Sequence, residues 1–189
     1  MGHSVSVRGG LPPLEGYGVP TAFGELCIGW EEAVAGVRVG QIFLPGAASP
    51  AVRTTSHAAP PAIVELGARL QAFLAGEAVT FDLALLTLER CGDFQWRVLL
   101  AEAAIPRGWV STYGRMAAHL GTPGAGRAVG NALARNPFPL VIPCHRAVRS
   151  DGALGGYQGG VQMKRRLLAL EGVAFRDALH VSLERVWYL

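Results

Sequence analysis

From residue 111 to residue 137 the chain reads STYGRMAAHLGTPGAGRAVGNALARNP, and this stretch decides the fold. Ser111 and Thr112 can cap a helix running from Tyr113 to Leu120, and Gly121 supplies its stop. Thr122-Pro123 opens a second helix that reaches to about Arg135, where Asn136-Pro137 breaks it. Two short helices joined by a tight glycine-containing turn predict a helix-turn-helix. The pattern is frequent in helical proteins that never meet nucleic acid, so the charge around it matters. From Arg107 to Arg166 there are eight arginines and one lysine against a single acid, Asp151, a balance suited to meeting phosphates.

Downstream, the apolar run Phe138 to Ile142 predicts a short buried strand that delivers Pro143-Cys144-His145-Arg146. Five glycines between Ser150 and Gly160 surround Tyr157, the composition of a loop that something approaches closely. Met163, Leu167 and Leu170 mark one face of a helix that Glu171-Gly172 ends, and the apolar and aromatic tail 176–189 is expected to pack back as a strand. Upstream, residues 94–104 have helical periodicity and end at Ile105-Pro106-Arg107-Gly108. The polar stretch Glu89-Arg90-Cys91-Gly92-Asp93 marks a boundary. Before it, residues 19–30 and 34–44 suggest a hairpin joined by Glu31-Glu32, followed by a Pro/Ala/Ser/Thr loop from Pro45 to Pro61. A helix carrying Ile63, Leu66, Leu70 and Phe73 and stopped by Gly76 comes next, and then a strand over 79–88. The expected organisation is a small α/β domain over 1–90, a mainly helical domain with the helix-turn-helix over 91–174, and a tail over 175–189.

Composition narrows the class. At 189 residues, half of them hydrophobic, the chain can bury one substantial core or two small ones. A net charge of +3 and a pI near 9.0 permit nucleic-acid binding without requiring it. Three cysteines, Cys27, Cys91 and Cys144, form no CxxC pair, and an odd count argues for a reducing compartment. No apolar run approaches the ~20 residues of a membrane helix, and Met1-Gly2-His3-Ser4 does not open a signal peptide, so a cytoplasmic protein is expected. No Cys and His set has zinc spacing, and no metal or cofactor is expected.

Cys144 carries the chemistry. A thiol with an ordinary pKa of ~8.5 needs positive charge or a base nearby to become a thiolate, and His145 and Arg146 follow it directly. On an extended segment neighbouring side chains point to opposite faces, so His145 would act through water or from a turn. Read alone, Cys144 fits a buried inert cysteine as well as a nucleophile.

The surroundings separate these readings. Pro143-Cys144-His145-Arg146 is preceded by Asn136-Pro137 and followed by Gly155-Gly156-Tyr157-Gln158-Gly159-Gly160 and Leu167-Leu168-Ala169-Leu170-Glu171-Gly172. With Ile105-Pro106-Arg107-Gly108, Ser111-Thr112-Tyr113-Gly114 and Arg127-Ala128-Val129-Gly130, this ordered series resembles the O6-alkylguanine-DNA alkyltransferase family from about Phe94 to Gly172. The resemblance implies a ribonuclease-H-like N-terminal domain and a winged-helix-like C-terminal one. It implies a cytoplasmic monomer, nucleoid-associated in a bacterium, that binds double-stranded DNA through the minor groove. The implied activity is direct repair: one irreversible transfer of an alkyl group from O6-alkylguanine, and from O4-alkylthymine, to Cys144.

Residue by residue, Cys144 matches the alkyl acceptor, His145 the histidine that activates it through a bridging water, and Glu171 the carboxylate that orients that histidine. Asn136 matches the asparagine that ties the active-site turn, and Tyr113 the tyrosine that donates to guanine N3 and crowds the rotating phosphate. Arg127 matches the arginine that fills the space left by the flipped nucleotide. Gly126, Ala128 and Gly130 match the small residues that let the helix enter the minor groove, and Thr112 and Tyr113 fall among the DNA-contact positions. Pro139 and Tyr157 match pocket walls, the backbone N–H of Gln158 matches a donor to O6, and the carbonyls of Cys144 and Ala147 match acceptors from the exocyclic amine. Without the family, Glu171 reads as a solvated helix-end acid, Asn136 as a helix stop, Tyr113 as packing and Arg127 as a solvated side chain. The order of residues in 94–99 departs from the family, and the N-terminal half matches only at 21–28. Three other readings remain: a sensor that binds alkylguanine without transfer, a cysteine hydrolase, and a sequence-reading regulator. Cys144 opposes the first, Arg127 and the helix-turn-helix the second, and the small-residue helix face the third.

Overall fold

The computed structural model describes residues 14–34, 36–46, 52–54 and 58–188. The Met1-Gly2-His3-Ser4 reading and part of the 45–61 loop fall outside them. Strands β1 (Leu14–Val19), β2 (Leu26–Ala33) and β3 (Gly36–Phe43) form an antiparallel meander, and β4 (Val52–Thr54) joins β1 in parallel, giving the order β3-β2-β1-β4. Helix α1 (Pro61–Leu74) buries Ile63, Leu66, Leu70 and Phe73, the expected stripe, and packs across the first three strands.

Charge misplaces the hairpin joint. Glu31 and Glu32 do not turn the chain; they lie within β2, where Glu31 pairs with Arg38 in register, and the reversal falls between Ala33 and Gly36. Glu31 is tolerated in a strand because Arg90 binds its carboxylate, while Arg38 meets Glu89 at 2.8 Å. The polar stretch expected to be a boundary is thus clasped to the sheet. The expected strand over 79–88 is replaced by 3-10 turns at Leu83–Leu85 and Leu88–Arg90. Asp82 accepts from the Ala84 N–H and starts the first turn, leaving only an isolated bridge between Leu86 and Val39.

The second half contains α2 (Asp93–Ala103), β5 (Ser111–Thr112), α3 (Tyr113–His119), α4 (Gly126–Ala134), β6 (Ala147–Val148) and α5 (Gly160–Leu170). Helices α3 and α4 pack together as the helix-turn-helix, and β5 pairs with β6 in parallel. Helix α4 begins at Gly126, later than Thr122-Pro123 suggested. The Thr122 hydroxyl and N–H both donate to the Ala117 carbonyl, so this threonine closes α3 instead of opening α4. Residues 138–142 are not a strand either. The Ile142 N–H donates back to the Phe138 carbonyl at 2.8 Å and Leu140 has φ +74°, so the chain reverses. The run is apolar because it is buried on all sides, a state that does not require a strand. Among the described residues the tail makes isolated bridges only, Val186 with Val110, His180 with Ala153 and Val181 with Phe175.

One hydrophobic cluster runs through both halves, from Ile28 and Leu70 to Val98, Ile142, Cys144 and Leu167. A smaller one, holding Val110, Val148, Leu154, Leu168, Val173 and Val181, lies beneath the tail. Among the described residues no helix is long and apolar enough to cross a membrane. The clasp at the boundary gives a direct check: Arg90→Ala strands the nearly buried Glu31 carboxylate and is expected to lower unfolding stability in urea by about 2 kcal/mol. Arg90→Ala with Glu31→Gln should recover most of the loss, and a silent single mutant would show that the clasp contributes nothing.

Candidate active site

The acceptor turn is assembled from the chain reversal upward. Asn136, 2 % exposed, donates from Nδ2 to the Ile142 carbonyl at 3.0 Å and accepts the Phe138 N–H at 2.9 Å, fastening both ends of residues 136–142. Residues Cys144–Arg146 then form a 3-10 turn, so His145 is swung off the extended line that would separate it from Cys144. Its Nε2 meets the Glu171 carboxylate at 2.9 Å. Bonding at Nε2 leaves Nδ1, buried and without a hydrogen-bond partner among the described residues, as the free basic nitrogen of the neutral ring. Phe73 of α1 packs 6.0 Å from the imidazole and Tyr157 stands edge-on at 6.3 Å, so the first half of the chain helps to seal the histidine.

Glu171 is held from two sides. Arg146 donates to it from Nε at 2.8 Å and from Nη2 at 2.7 Å, and its Nη1 reaches the Ile105 carbonyl. Burial alone would raise the Glu171 pKa, but His145 and Arg146 bring it down to about 2. Burial pushes His145 below its ordinary value despite Glu171, so the permanent charge balancing this carboxylate is Arg146. Cys144 sits at 6 % exposure, and burial pushes its thiol up to about 12; the Asn136 amide and Lys164 favour the thiolate, while Glu102 opposes it. The resting group is therefore a thiol.

Cys144 opens onto a cavity of about 780 Å³ lined also by Tyr113, Gly126, Arg127, Gly130, Tyr157 and Gln158. Tyr113 is pushed up to about 12, by burial first and then by Glu102 and Cys144, and stays a proton donor. Gly155 lets the loop close on it: with φ +68°, a Cβ there would lie 3.0 Å from the Tyr113 hydroxyl. The Gln158 side chain donates to the Asn136 carbonyl at 2.8 Å and so joins the loop to the acceptor turn. Arg127 is exposed on the cavity wall, and Ala128 beside it is exposed on α4. Of the expected pocket and DNA-contact residues, Pro139, Ala147 and Thr112 are buried apart from the cavity lining. Pro139 is buried within the reversal. Ala147 is buried and its carbonyl accepts from Lys164. Thr112 is 6 % exposed, with its hydroxyl accepting from the Arg115 N–H as the cap of α3.

A family model described as the 6-O-methylguanine DNA methyltransferase DNA-binding domain matches residues 93–173. The methylated-DNA–protein-cysteine methyltransferase of Methanothermobacter thermautotrophicus is 52 % identical over 115 residues, 61 % of this chain and 64 % of that one. The protein of the same name from Mycobacterium bovis is 47 % identical over 103 residues, 54 % of this chain and 61 % of that one. The matched stretch therefore spans less than two thirds of the length of these relatives. A crystal structure of Mycobacterium tuberculosis OGT in complex with DNA superposes with a TM-score of 0.69 at 35 % identity, covering 84 % of this chain and 92 % of that one. The chain belongs to the 6-O-methylguanine DNA methyltransferase family. The O6-methylguanine-DNA methyltransferase of Pyrococcus kodakaraensis has the same mixed α/β fold, with a TM-score of 0.61 at 28 % identity over 85 % of this chain and 99 % of that one.

This family member also buries two charged residues that the sequence reading passed over. Lys164, fully buried, donates from Nζ to the Ala147 carbonyl at 2.6 Å, and burial brings it down to about 8 against the pull of Cys144 and Glu102. Glu102 is fully buried on α2 with no hydrogen-bond partner for either oxygen among the described residues; burial pushes it up to about 8, with Lys164 and Arg146 opposing. The signal was present in the spacing: Lys164 shares a helix face with Leu167, Leu168 and Glu171, and Glu102 follows Val98 by one helical turn. The arginine count, conversely, overstated the phosphate-facing charge. Arg107, Arg115 and Arg165 donate to carbonyls, Arg146 serves Glu171, and Arg166 lies 3.9 Å over the Phe23 ring. Among the described residues no group of three His, Cys, Asp or Glu could hold a metal ion.

Glu171 gives a pH test. Its carboxyl has a pKa of about 2 when folded and about 4.3 when unfolded, so its stabilisation is complete above the upper value and is lost as pH falls through the lower. Glu171→Gln should cost about 3 kcal/mol at pH 7, because Arg146 loses its buried counter-charge. Thermal melts at pH 7 and pH 3 should then show a smaller acid loss in the variant than in the wild type. Equal acid sensitivity of the two would show that Glu171 is not the titrating carboxylate.

Proposed function

We propose that the protein repairs DNA by transferring the alkyl group of O6-alkylguanine, and of O4-alkylthymine, irreversibly to Cys144. One observation carries the reading: a cysteine on a rigid turn, backed by a buried His145–Glu171 pair, opens into a base-sized cavity walled by Tyr113 and rimmed by Arg127. The neighbours' names, methylated-DNA–protein-cysteine methyltransferase and OGT in complex with DNA, support it.

In the proposed reaction the Cys144 proton passes to Nδ1 of His145, through the bridging water the family resemblance implies, while Glu171 holds the ring by Nε2 and stabilises its charged form. The sulfur attacks the alkyl carbon, the carbon–O6 bond breaks, and a thioether forms. The electron pair stays on guanine, where a proton from the Tyr113 hydroxyl toward N3 and the Gln158 N–H toward O6 stabilise it. Solvent returns a proton to Tyr113 and removes one from His145, so the balance is alkylguanine plus thiol giving guanine plus thioether. The high pKa of Tyr113 keeps its hydroxyl protonated as a hydrogen-bond donor, and that of Cys144 keeps the sulfur a thiol at rest, so its proton must leave as the sulfur attacks. No step returns the thiol, so each molecule acts once.

The target carbon lies inside the stacked duplex and must be flipped out, at a few kcal/mol. Helix α4 would enter the minor groove, with Gly126, Ala128 and Gly130 allowing close approach and Arg127 filling the gap. Thr112 serves this surface by capping α3 behind Tyr113. Pro139 supports the pocket from within the reversal, and the Cys144 carbonyl is the one offered to the base amine, since the buried Ala147 carbonyl is taken by Lys164. On architecture, we read residues 1–90 as a ribonuclease-H-like domain and 91–174 as winged-helix-like, with 175–189 as a tail; the sheet order with α1 on it, and α3–α4 lying in sequence between the paired β5 and β6, support this. The protein would act as a monomer in the cytoplasm.

Incubation with a duplex oligonucleotide containing O6-methylguanine should raise the intact mass by one methyl group, mapped to Cys144, and stop at one equivalent. Persistence of the added mass in Cys144→Ser, or turnover beyond one equivalent, would sink the reading. With the free base O6-benzylguanine, the wild-type rate should fall in acid only below the ordinary imidazole range, because burial holds His145 below its usual value and protonation ends its role as a base. The same rate in His145→Ala as in the wild type at pH 7 would remove His145 from that role.

A further inference from the structure

We propose that Arg149 is a second phosphate contact for the DNA strand that carries the lesion, presented at the rim of the acceptor cavity on a turn that the C-terminal tail holds rigid. The inference rests on the function proposed above and adds a residue and a role for the tail.

Arg149 lines the same cavity as Cys144 and Arg127 but belongs to a separate wall, the turn that follows β6. It is exposed, and among the described residues its guanidinium donates to no carbonyl or carboxylate, unlike Arg107, Arg115, Arg146 and Arg165 around it. Its positive charge reaches the Tyr113 hydroxyl, whose ionisation it favours. Arg149 thus stands near the residue that the nucleotide's phosphate would pass on rotating outward. A planar, permanently charged group with paired donors suits a phosphate, and a phosphate held there favours the flipped state. The other charge on the turn, Asp151, lines the same cavity; its carboxylate is engaged first by the Ala153 N–H at 2.9 Å, and Arg149 adds only a lesser pull on it.

The turn is built to keep its shape. The Arg149 N–H donates to the Ala153 carbonyl and the Gly152 N–H to the Arg149 carbonyl, both at 2.9 Å. The tail braces it from outside: the Val181 N–H donates to the Gly152 carbonyl at 2.9 Å, the Leu154 N–H to the Leu179 carbonyl at 3.0 Å, and Arg176 binds the Asp151 carbonyl. The approach is close enough that a Cβ on Gly152, at φ +88°, would lie 2.7 Å from the Val181 carbonyl oxygen. Val148, Leu154 and Val181 share the small apolar cluster beneath. A solvent-exposed arginine on so constrained a backbone loses less freedom when it meets a fixed partner.

The test compares two substrates and several salt concentrations. Arg149→Ala should slow alkyl transfer from duplex O6-methylguanine about 5- to 10-fold near 0.1 M salt and reduce the slope of log affinity against log salt by about 1. Its reaction with free O6-benzylguanine should fall less than the duplex rate, since no phosphate is present. Arg149→Lys should restore most of the salt slope, and Arg176→Ala, which loosens the brace, should reproduce part of the duplex loss alone. Equal losses on both substrates would place Arg149 in the chemistry or the fold, and an unchanged duplex rate and slope would remove it from the DNA surface; either overturns the proposal. Wild-type protein that alkylates Cys144 with neither substrate would overturn the proposed function itself, and this inference with it.

Discussion

The buried carboxylate of Glu171 is the point on which the site is hung. It leaves the end of α5, meets His145 and Arg146 on the acceptor turn, and through Arg146 reaches the Ile105 carbonyl just beyond α2. A carboxylate in this position is expensive to desolvate, and its three charge-assisted contacts offset that cost only while all of them are made. The geometry of the imidazole is therefore inherited from a structural ion pair. Arg107 repeats the device on a larger scale, donating to the Gly76 and Leu170 carbonyls and so tying the end of α1 to the end of α5. The sheet-bearing half is fixed in this way against the half that holds Cys144, and Phe73 is kept against His145.

Burial gives the nucleophile two opposing properties. It protects the thiol by raising its pKa, and it gives every nearby charge a longer reach. Lys164 is placed to support a thiolate through that low-dielectric medium, and Glu102, its neighbour in charge, works against it. In the neutral range a carboxyl with a pKa near 8 is largely protonated, which leaves the Lys164 charge available to the sulfur. Under the proposed single transfer, a thiol that is quiet at rest is an advantage, because any stray reaction would consume the protein.

The parts legible in the sequence were those governed by local chemistry. The stripe of α1, the cap and stop of α3, and the ordered motifs around Pro143-Cys144-His145-Arg146 depend on near neighbours, and the structure has them where the residues suggested. The misplaced elements share one cause: a residue whose partner lies far along the chain. Glu31 looked like a turn because Arg90 is 59 residues away. Residues 138–142 looked like a strand because their burial comes from several elements, Pro137 among them receiving the Ile42 N–H of β3. Lys164 entered only as one of a count of charges and Glu102 not at all, because charge was read before position on the helix.

By itself, the sequence determined the family and the identity of the residues around Cys144, since motif order and side-chain chemistry survive without coordinates. Only the tertiary structure decided which charges are exposed to a ligand and which are consumed inside the fold. A guanidinium has the same composition whether it holds a carbonyl, as Arg107 does, or stands unpartnered on a cavity rim, as Arg127 and Arg149 do. Its interaction energy depends on the dielectric around it and on the geometry of its acceptors, and both are set by packing between distant segments.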